Sequence, residues 1–241
     1  MRKALLCGLL LAVPALAGED RQRAVDRIAK LGGKYQVTKD DPAVVVYLEE
    51  TKVQDADLAL LKALPETTHL DLTTTAVGDA GLAHLRGLTK LRVLGLARTR
   101  VTDKGLAHLR GLTGLRALFL RQTKVGDAGL AFLKGLRRLE VLNLDTTRVS
   151  DAGLTHLAGL RGLTHLDLDN TKVTDRGLAQ LRGLSRLRFL QLGNTGVTDQ
   201  GLIHLRGLKR LEEVNLAGTR VTATGVKELR RALPQATVRR Q

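Results

Sequence analysis

Carboxylates recur along this chain at a fixed interval, and carboxylates in register are groups that hold cations or move protons. Asp55, Asp79, Asp103, Asp127, Asp151, Asp175 and Asp199 fall 24 residues apart. Such a column suits either a metal ladder or helix capping. From Asp79 onward each stands in Asp-x-Gly-Leu, where a helix would begin, and Asp55 precedes Ala-Asp-Leu. These residues are therefore expected to be helix caps, their oxygens accepting first-turn N–H groups and their charge suiting a helix N-terminus. No metal site is expected from them. Asp145, Asp167 and Asp169 form a second acidic group on neighbouring repeats. They suit a Ca²⁺ ion or acid–base work by type, but they fall on an open face without a pocket.

Other chemistry-bearing residues are few. His84, His108, His156 and His204 share one column, yet Leu60, Phe132 and Gln180 hold the same place in other repeats. That tolerance fits a half-exposed outer face, not a zinc site. His69 and His165 lie four repeats apart, about 19 Å at ~4.8 Å per strand, too far to share one ion. Cys7 is the single cysteine, and Ser150 and Ser185 are the only serines. Neither a Gly-rich phosphate loop nor a zinc motif occurs. The chain is expected to be non-catalytic and to need no cofactor.

The elements that position these residues follow from the same period. Of 241 residues 51 are Leu, and aromatics make up only 2%. Gly81, Gly105, Gly129, Gly153, Gly177, Gly201 and Gly225 repeat at 24, as does a Thr column from Thr51 to Thr219. Within one unit Leu94-x-Leu96 alternates like a strand with one buried face. Leu106, Leu109 and Leu112 then recur every three residues, like a short α or 3₁₀ helix with one apolar stripe. One unit cannot bury both stripes alone, but stacked units can. The Thr hydroxyls are expected to satisfy backbone groups where the chain leaves each strand, and the Gly column to permit close packing or an unusual turn angle.

The pattern L-x-x-L-x-L-x-x-T-x-V-T-D-x-G-L-x-x-L resembles the leucine-rich repeat family. It is most similar to the (I/V)-T-D-x-G-L subclass of exported bacterial repeat proteins and of cysteine-containing repeats in F-box adaptors. Thr here stands where many such repeats carry Asn or Cys. The resemblance covers about residues 43–238. It implies an α/β leucine-rich repeat solenoid, a horseshoe with a parallel concave β-sheet and short α or 3₁₀ helices on the convex side. It also implies ligand binding through the concave face. In F-box adaptors such repeats receive ubiquitin-ligase substrates, a role that a leader peptide would contradict.

The ends complete the organisation. Arg2 and Lys3, the apolar stretch Ala4–Val13, Pro14 and Ala15-Leu16-Ala17 read as a signal peptide over residues 1–17. That stretch is too short to span a bilayer, so a secreted or periplasmic chain with no transmembrane segment after cleavage is expected. Residues 18–42 read as an N-terminal helical cap with the stripe Ala24, Val25, Ile28 and Leu31. Eight 24-residue repeats occupy 43–234, and 235–241 is a half-repeat with a basic tail. Ala223 replaces the column Asp in the eighth repeat, so a fraying end is expected there.

Charge divides the faces. The formal charge is +15, yet the residues flanking the strand leucines include six acids (Glu49, Asp71, Asp145, Asp167, Asp169, Glu213) and one base, Arg121. Three of the five aromatics, Tyr47, Phe119 and Phe189, fall on the same floor beside His69 and His165. Rigid aromatics and acids on a curved sheet suit a protein or peptide ligand of basic character. The bases form two other columns, Lys52, Arg100, Lys124, Arg148, Lys172 and Arg220 on the rim, and Lys62, Arg86, Arg110, Lys134, Arg182, Arg206 and Arg230 on the helices. They suit a polyanion, whether glycan, lipid headgroup or nucleic acid. The acidic floor and the lack of aromatics among the bases argue against nucleic acid.

Overall fold

The computed structural model describes residues 18–38 and 43–240. The expected leader lies outside the described residues, as does Asp40-Asp41-Pro42, where the sequence suggests a turn. Helix α1 (Gly18–Lys30) has Glu19 and Asp20 in its first turn and Arg27 and Lys30 in its last, the sense its dipole favours. Ala24 and Ile28 are buried, and Val25 and Leu31 pack partly against the core. Gly32 adopts φ 89°, which only glycine accepts readily, and turns the chain into β1 (Lys34–Val37). β1 pairs antiparallel with β2 (Val44–Tyr47), so the sheet has one antiparallel edge.

From β2 onward every pairing is parallel. The strands are β3 (Thr67–Asp71), β4 (Val93–Gly95), β5 (Ala117–Phe119), β6 (Val141–Asn143), β7 (His165–Asp167), β8 (Phe189–Gln191), β9 (Glu213–Asn215) and β10 (Thr237–Arg239). They form one ten-stranded open sheet in chain order. Leu94, Leu118, Leu142, Leu166 and Leu190 pair in a row without a slip. On the other side run the one-turn helices α2 (Asp79–Leu82), α3 (Asp103–Leu106), α4 (Asp127–Leu130), α5 (Asp151–Leu154) and α6 (Asp175–Leu178). Most continue as 3₁₀ turns, and in the first and seventh coils 3₁₀ turns alone stand in their place (Asp55–Ala63 and Gly201–His204). The expected fraying of the eighth coil is not found. There α7 (Ala223–Ala232) is the longest helix after α1, opened by Thr222, whose hydroxyl accepts from the Gly225 N–H.

The core is a single apolar column of Leu and Val between the two layers. Each column Thr is half-buried or buried, and its hydroxyl donates to the carbonyl three residues back, as Thr147 does to Leu144 at 2.7 Å. This gives each strand-end carbonyl a hydroxyl partner, alone or beside the Thr N–H.

The Asp column does not cap its own helices. Each of Asp79, Asp103, Asp127, Asp151 and Asp175 is the first helical residue, and the N-cap is the residue before it, as Thr102 is for α3. The carboxylates reach into the next coil instead. Asp55 and Asp79 accept from the N–H groups of Gly78 and Thr102, 23 residues on, and the pattern runs to Asp199 and Thr222. In five coils the second oxygen takes the hydroxyl of the same Thr or Ser. The column is thus an inter-coil bridge, and the Gly column is its counterpart. A methyl on Gly105, Gly153 or Gly201 would strike the Asp carboxylate of the coil before.

One backbone column escapes sequence reading. Glu50, Thr74, Arg98, Gln122, Thr146, Asn170 and Asn194 all take left-handed φ between 54° and 57°. Side chains there cost ~1–2 kcal/mol, most for a β-branched residue. The eighth coil relieves this with Gly218 at φ 69°. Thr74 is exposed, so Thr74→Gly is expected to stabilise the fold by about 0.5–1 kcal/mol in urea unfolding, after glycine's extra chain entropy is offset. A destabilised variant would show that the Thr side chain matters more than its backbone strain.

Candidate functional site

Strands stack about 4.8 Å apart whereas helices need roughly 10 Å, so a coil with strands on one side curves toward them. The sheet face is therefore the inner, concave wall. Tyr47, Phe119 and Phe189 lie on it half-buried, outside the core.

Two of these aromatics frame an acidic centre on β5–β8. Phe189 stacks on His165 with ring centroids 4.4 Å apart at 16°, and the Arg188 guanidinium sits 5.3 Å from the Phe189 centroid. Burial, then the Arg188 charge, holds the His165 imidazolium below its usual range. Phe119 neighbours Asn143 across the sheet, and Asn143 neighbours Asp167.

Between these rings lie three carboxylates and one cation. Asp145 is 6% exposed. It accepts from Arg121 Nε at 2.8 Å, and from Thr146 Oγ1 and Asn170 Nδ2 at 2.7 Å each. Asp167 accepts the Asp169 N–H at 3.0 Å and the Asn143 amide at 2.8 Å. Burial pushes its carboxyl up to about 6, with the Asp169 and Asp145 charges acting in the same sense. Asp169 takes the Gly193 N–H at 2.5 Å, and burial raises it too, followed by the Asp145 charge. One cation among three crowded acids leaves an unneutralised negative spot at the sheet surface.

The other expected site residues lie on β2–β3 and the turns just after them. Tyr47 and Glu49 follow each other along the first coil. His69 Nδ1 lies 2.9 Å from the Thr68 hydroxyl, and Asp71 accepts the Thr73 N–H at 2.9 Å. The structure thus gathers Phe119, Arg121, Asp145, His165, Asp167, Asp169 and Phe189 into one cluster and leaves Tyr47, Glu49, His69 and Asp71 apart from it. Sequence reading missed Asn143 and Asn170, whose amides orient Asp167 and Asp145. Their signal was present in Asn143, which occupies the same strand-end place as Asp71, Asp167 and Asn215; each side chain there accepts the N–H two residues on.

Among the described residues no three His, Cys, Asp or Glu side chains are placed to hold a metal ion. No helix there is long and apolar enough to cross a membrane.

Stacked coils with strands in 24-residue register define a repeat solenoid, and a leucine-rich repeat model matches residues 161–181. The chain has the fold of a leucine-rich repeat solenoid. It is similar to internalin C2 of Listeria monocytogenes, with 26% identity, a TM-score of 0.69 and coverage of 91% of this chain and 92% of that one. No curated protein matches it.

Proposed function

We propose that the protein is a non-catalytic scaffold that binds an extended protein or peptide segment with basic side chains along its concave sheet. The observation that carries this reading is the cluster just described, an acidic centre with a single Arg, flanked by Phe119 on one side and the His165–Phe189 stack on the other. The aromatic surfaces offer rigid area at low entropic cost, and the carboxylates receive a Lys or Arg. The leucine-rich repeat scaffold, whose family commonly binds proteins, supports the reading.

The leader-like residues 1–17 support export, with mature chain beginning at Gly18. The ubiquitin-ligase receptor role of F-box adaptors is the weaker reading, because export would remove the chain from that machinery. The test is affinity selection from a displayed library of random peptides by the exported chain, whose first residue is checked by N-terminal sequencing. Selected peptides are expected to be rich in Lys and Arg, and to lose about 30-fold in affinity for Phe119→Ala or Asp167→Ala at unchanged thermal stability. Peptides without basic enrichment, or variants that bind as well as wild type, would refute the assignment.

A further inference from the structure

Within residues 18–241 the net charge is confined to one lateral edge. In each coil from the second to the seventh, one turn, together with the end of the convex helix before it, leads back to the strand over residues 86–92, 110–116, 134–140, 158–164, 182–188 and 206–212. Beyond the leader, residues 18–241 hold 37 Lys and Arg against 24 Asp and Glu. Fifteen of those bases and two of the acids, Glu140 and Glu212, fall in the six turns. The edge therefore carries +13, and everything else holds 22 of each sign. Solubility alone does not call for this segregation, since the same bases dispersed over all faces would serve.

The edge is also available. Fourteen of its fifteen bases are exposed, Arg206 being half-buried. Some are engaged, as Arg188 is with Glu212 at 2.7 Å and Arg86 with the His108 ring. The side chains of Arg137, Arg138, Arg161 and Arg186 make no hydrogen bond or ion pair among the described residues. Twelve of the fifteen are Arg, whose fork pairs bidentately with carboxylate, sulfate or phosphate. They climb one coil at a time, near 4.8 Å per step beside the sheet, which makes a continuous cationic strip.

We infer that this edge is a second binding surface, separate from the concave wall, for a linear anionic polysaccharide. The strip matches an extended chain that carries a fixed anion at short intervals. None of the five aromatics lies in the six turns, and the rings that border them, Phe132 and Phe189, each carry an edge guanidinium, Arg110 and Arg188, over the ring, which leaves no open platform for stacking bases of a single-stranded nucleic acid. The exposed large apolar side chains among the described residues, Val37 and Ile203, also lie outside them, so nothing anchors the edge in a bilayer. The strand-to-helix edge does not repeat the arrangement. Its column Arg100, Lys124, Arg148 and Lys172 runs beside the inter-coil Asp ladder, where a methyl on Gly78 would lie within 4 Å of both Asp55 and Arg100.

The test compares two charge-matched variants of the full chain on immobilised heparin, a sulfated linear polysaccharide. One reverses Arg137, Arg138, Arg161 and Arg186 to Glu on the basic edge. The other reverses Arg100, Lys124, Arg148 and Lys172 to Glu on the opposite edge, and circular dichroism checks that both keep the wild-type fold. The first is expected to lose about 30-fold or more in affinity and the second under about threefold, with wild-type affinity falling steeply as salt rises. Phe119→Ala is expected to bind heparin as wild type does, which separates this surface from the concave one. Equal losses in the two variants would reduce the effect to net charge and overturn the proposal, as would absence of heparin binding by wild type. Tighter binding of duplex DNA, or of vesicles with anionic lipid, than of heparin at the same salt would overturn the polysaccharide assignment.

Discussion

Gly153→Ala is expected to destabilise the protein by about 3–5 kcal/mol, while Gly159→Ala, six residues on, changes stability by no more than about 0.5–1 kcal/mol. The two glycines look alike in the sequence, and the difference is what stands in front of each. A methyl on Gly153 would run into the Asp127 Oδ1, with Leu130 Cδ1 at 3.1 Å and the Asp127 Cα at 3.2 Å behind it. Asp127 cannot step aside cheaply. Its two oxygens hold the Ser150 N–H at 2.7 Å and the Ser150 hydroxyl at 2.6 Å. Breaking bonds to a charged acceptor costs about 1.5–3 kcal/mol each, and overpacking adds ~1–3. Gly159 has nothing within 4 Å of the same position. Contacts run almost wholly between adjacent coils, the Asn215–Asp169 bond being an exception, so a fault at the middle interface should also divide the urea transition in two. Asp127→Ala should remove most of the extra cost of Gly153→Ala in a double-mutant cycle, because the obstacle is gone. A single, unshifted transition for Gly153→Ala would remove the inter-coil bridge from the account of stability.

The same pair of columns shows how far the sequence could be read. The 24-residue period located the strand cores from β2 onward, though not β1, and predicted two layers, because apolar spacing reports directly on which side of an element is buried. It also marked Asp and Gly as scaffold. It did not tell which helix the Asp serves, because a residue at a helix start can bond its own first turn or the coil beside it, and only stacking decides between them. The left-handed column was invisible for a related reason. Thr74, Arg98 and Thr146 are poor residues for positive φ, and tertiary packing imposes what local preference opposes. On the concave wall, strand alternation placed Phe119, Asp145, Asp167 and Phe189 on one face. The Asn143 and Asn170 amides that fix the acids were passed over, because an amide's role depends on which neighbour comes within reach.

Arg121→Ala is expected to cost about 2 kcal/mol near neutral pH and roughly half of that near pH 5. Arg121 is half exposed, which limits the strength of its pair, but its partner Asp145 is 9% exposed by side chain and neighbours two more acids. Asp167 supplies the pH dependence. Its folded carboxyl titrates at about 6, above the ordinary 3.8. Between those values the folded chain keeps a proton that the unfolded chain has released, so this group's contribution to stability is lost as pH rises through about 6. Arg121 opposes that loss, and removing it steepens the decline. The imidazoles of His108, His165 and His204, lowered mainly by burial, act in the opposite sense by destabilising the fold as pH falls through their ordinary 6.5. They are common to wild type and variant, so the difference between the two urea-unfolding free energies isolates the acidic cluster. An equal loss near pH 5 and near pH 7.5 would show that the three carboxylates do not share a field. A bound lysine or arginine side chain would meet those carboxylates in the state that the fold tolerates least. Its affinity is therefore expected to rise over the same pH interval in which the cluster weakens the protein.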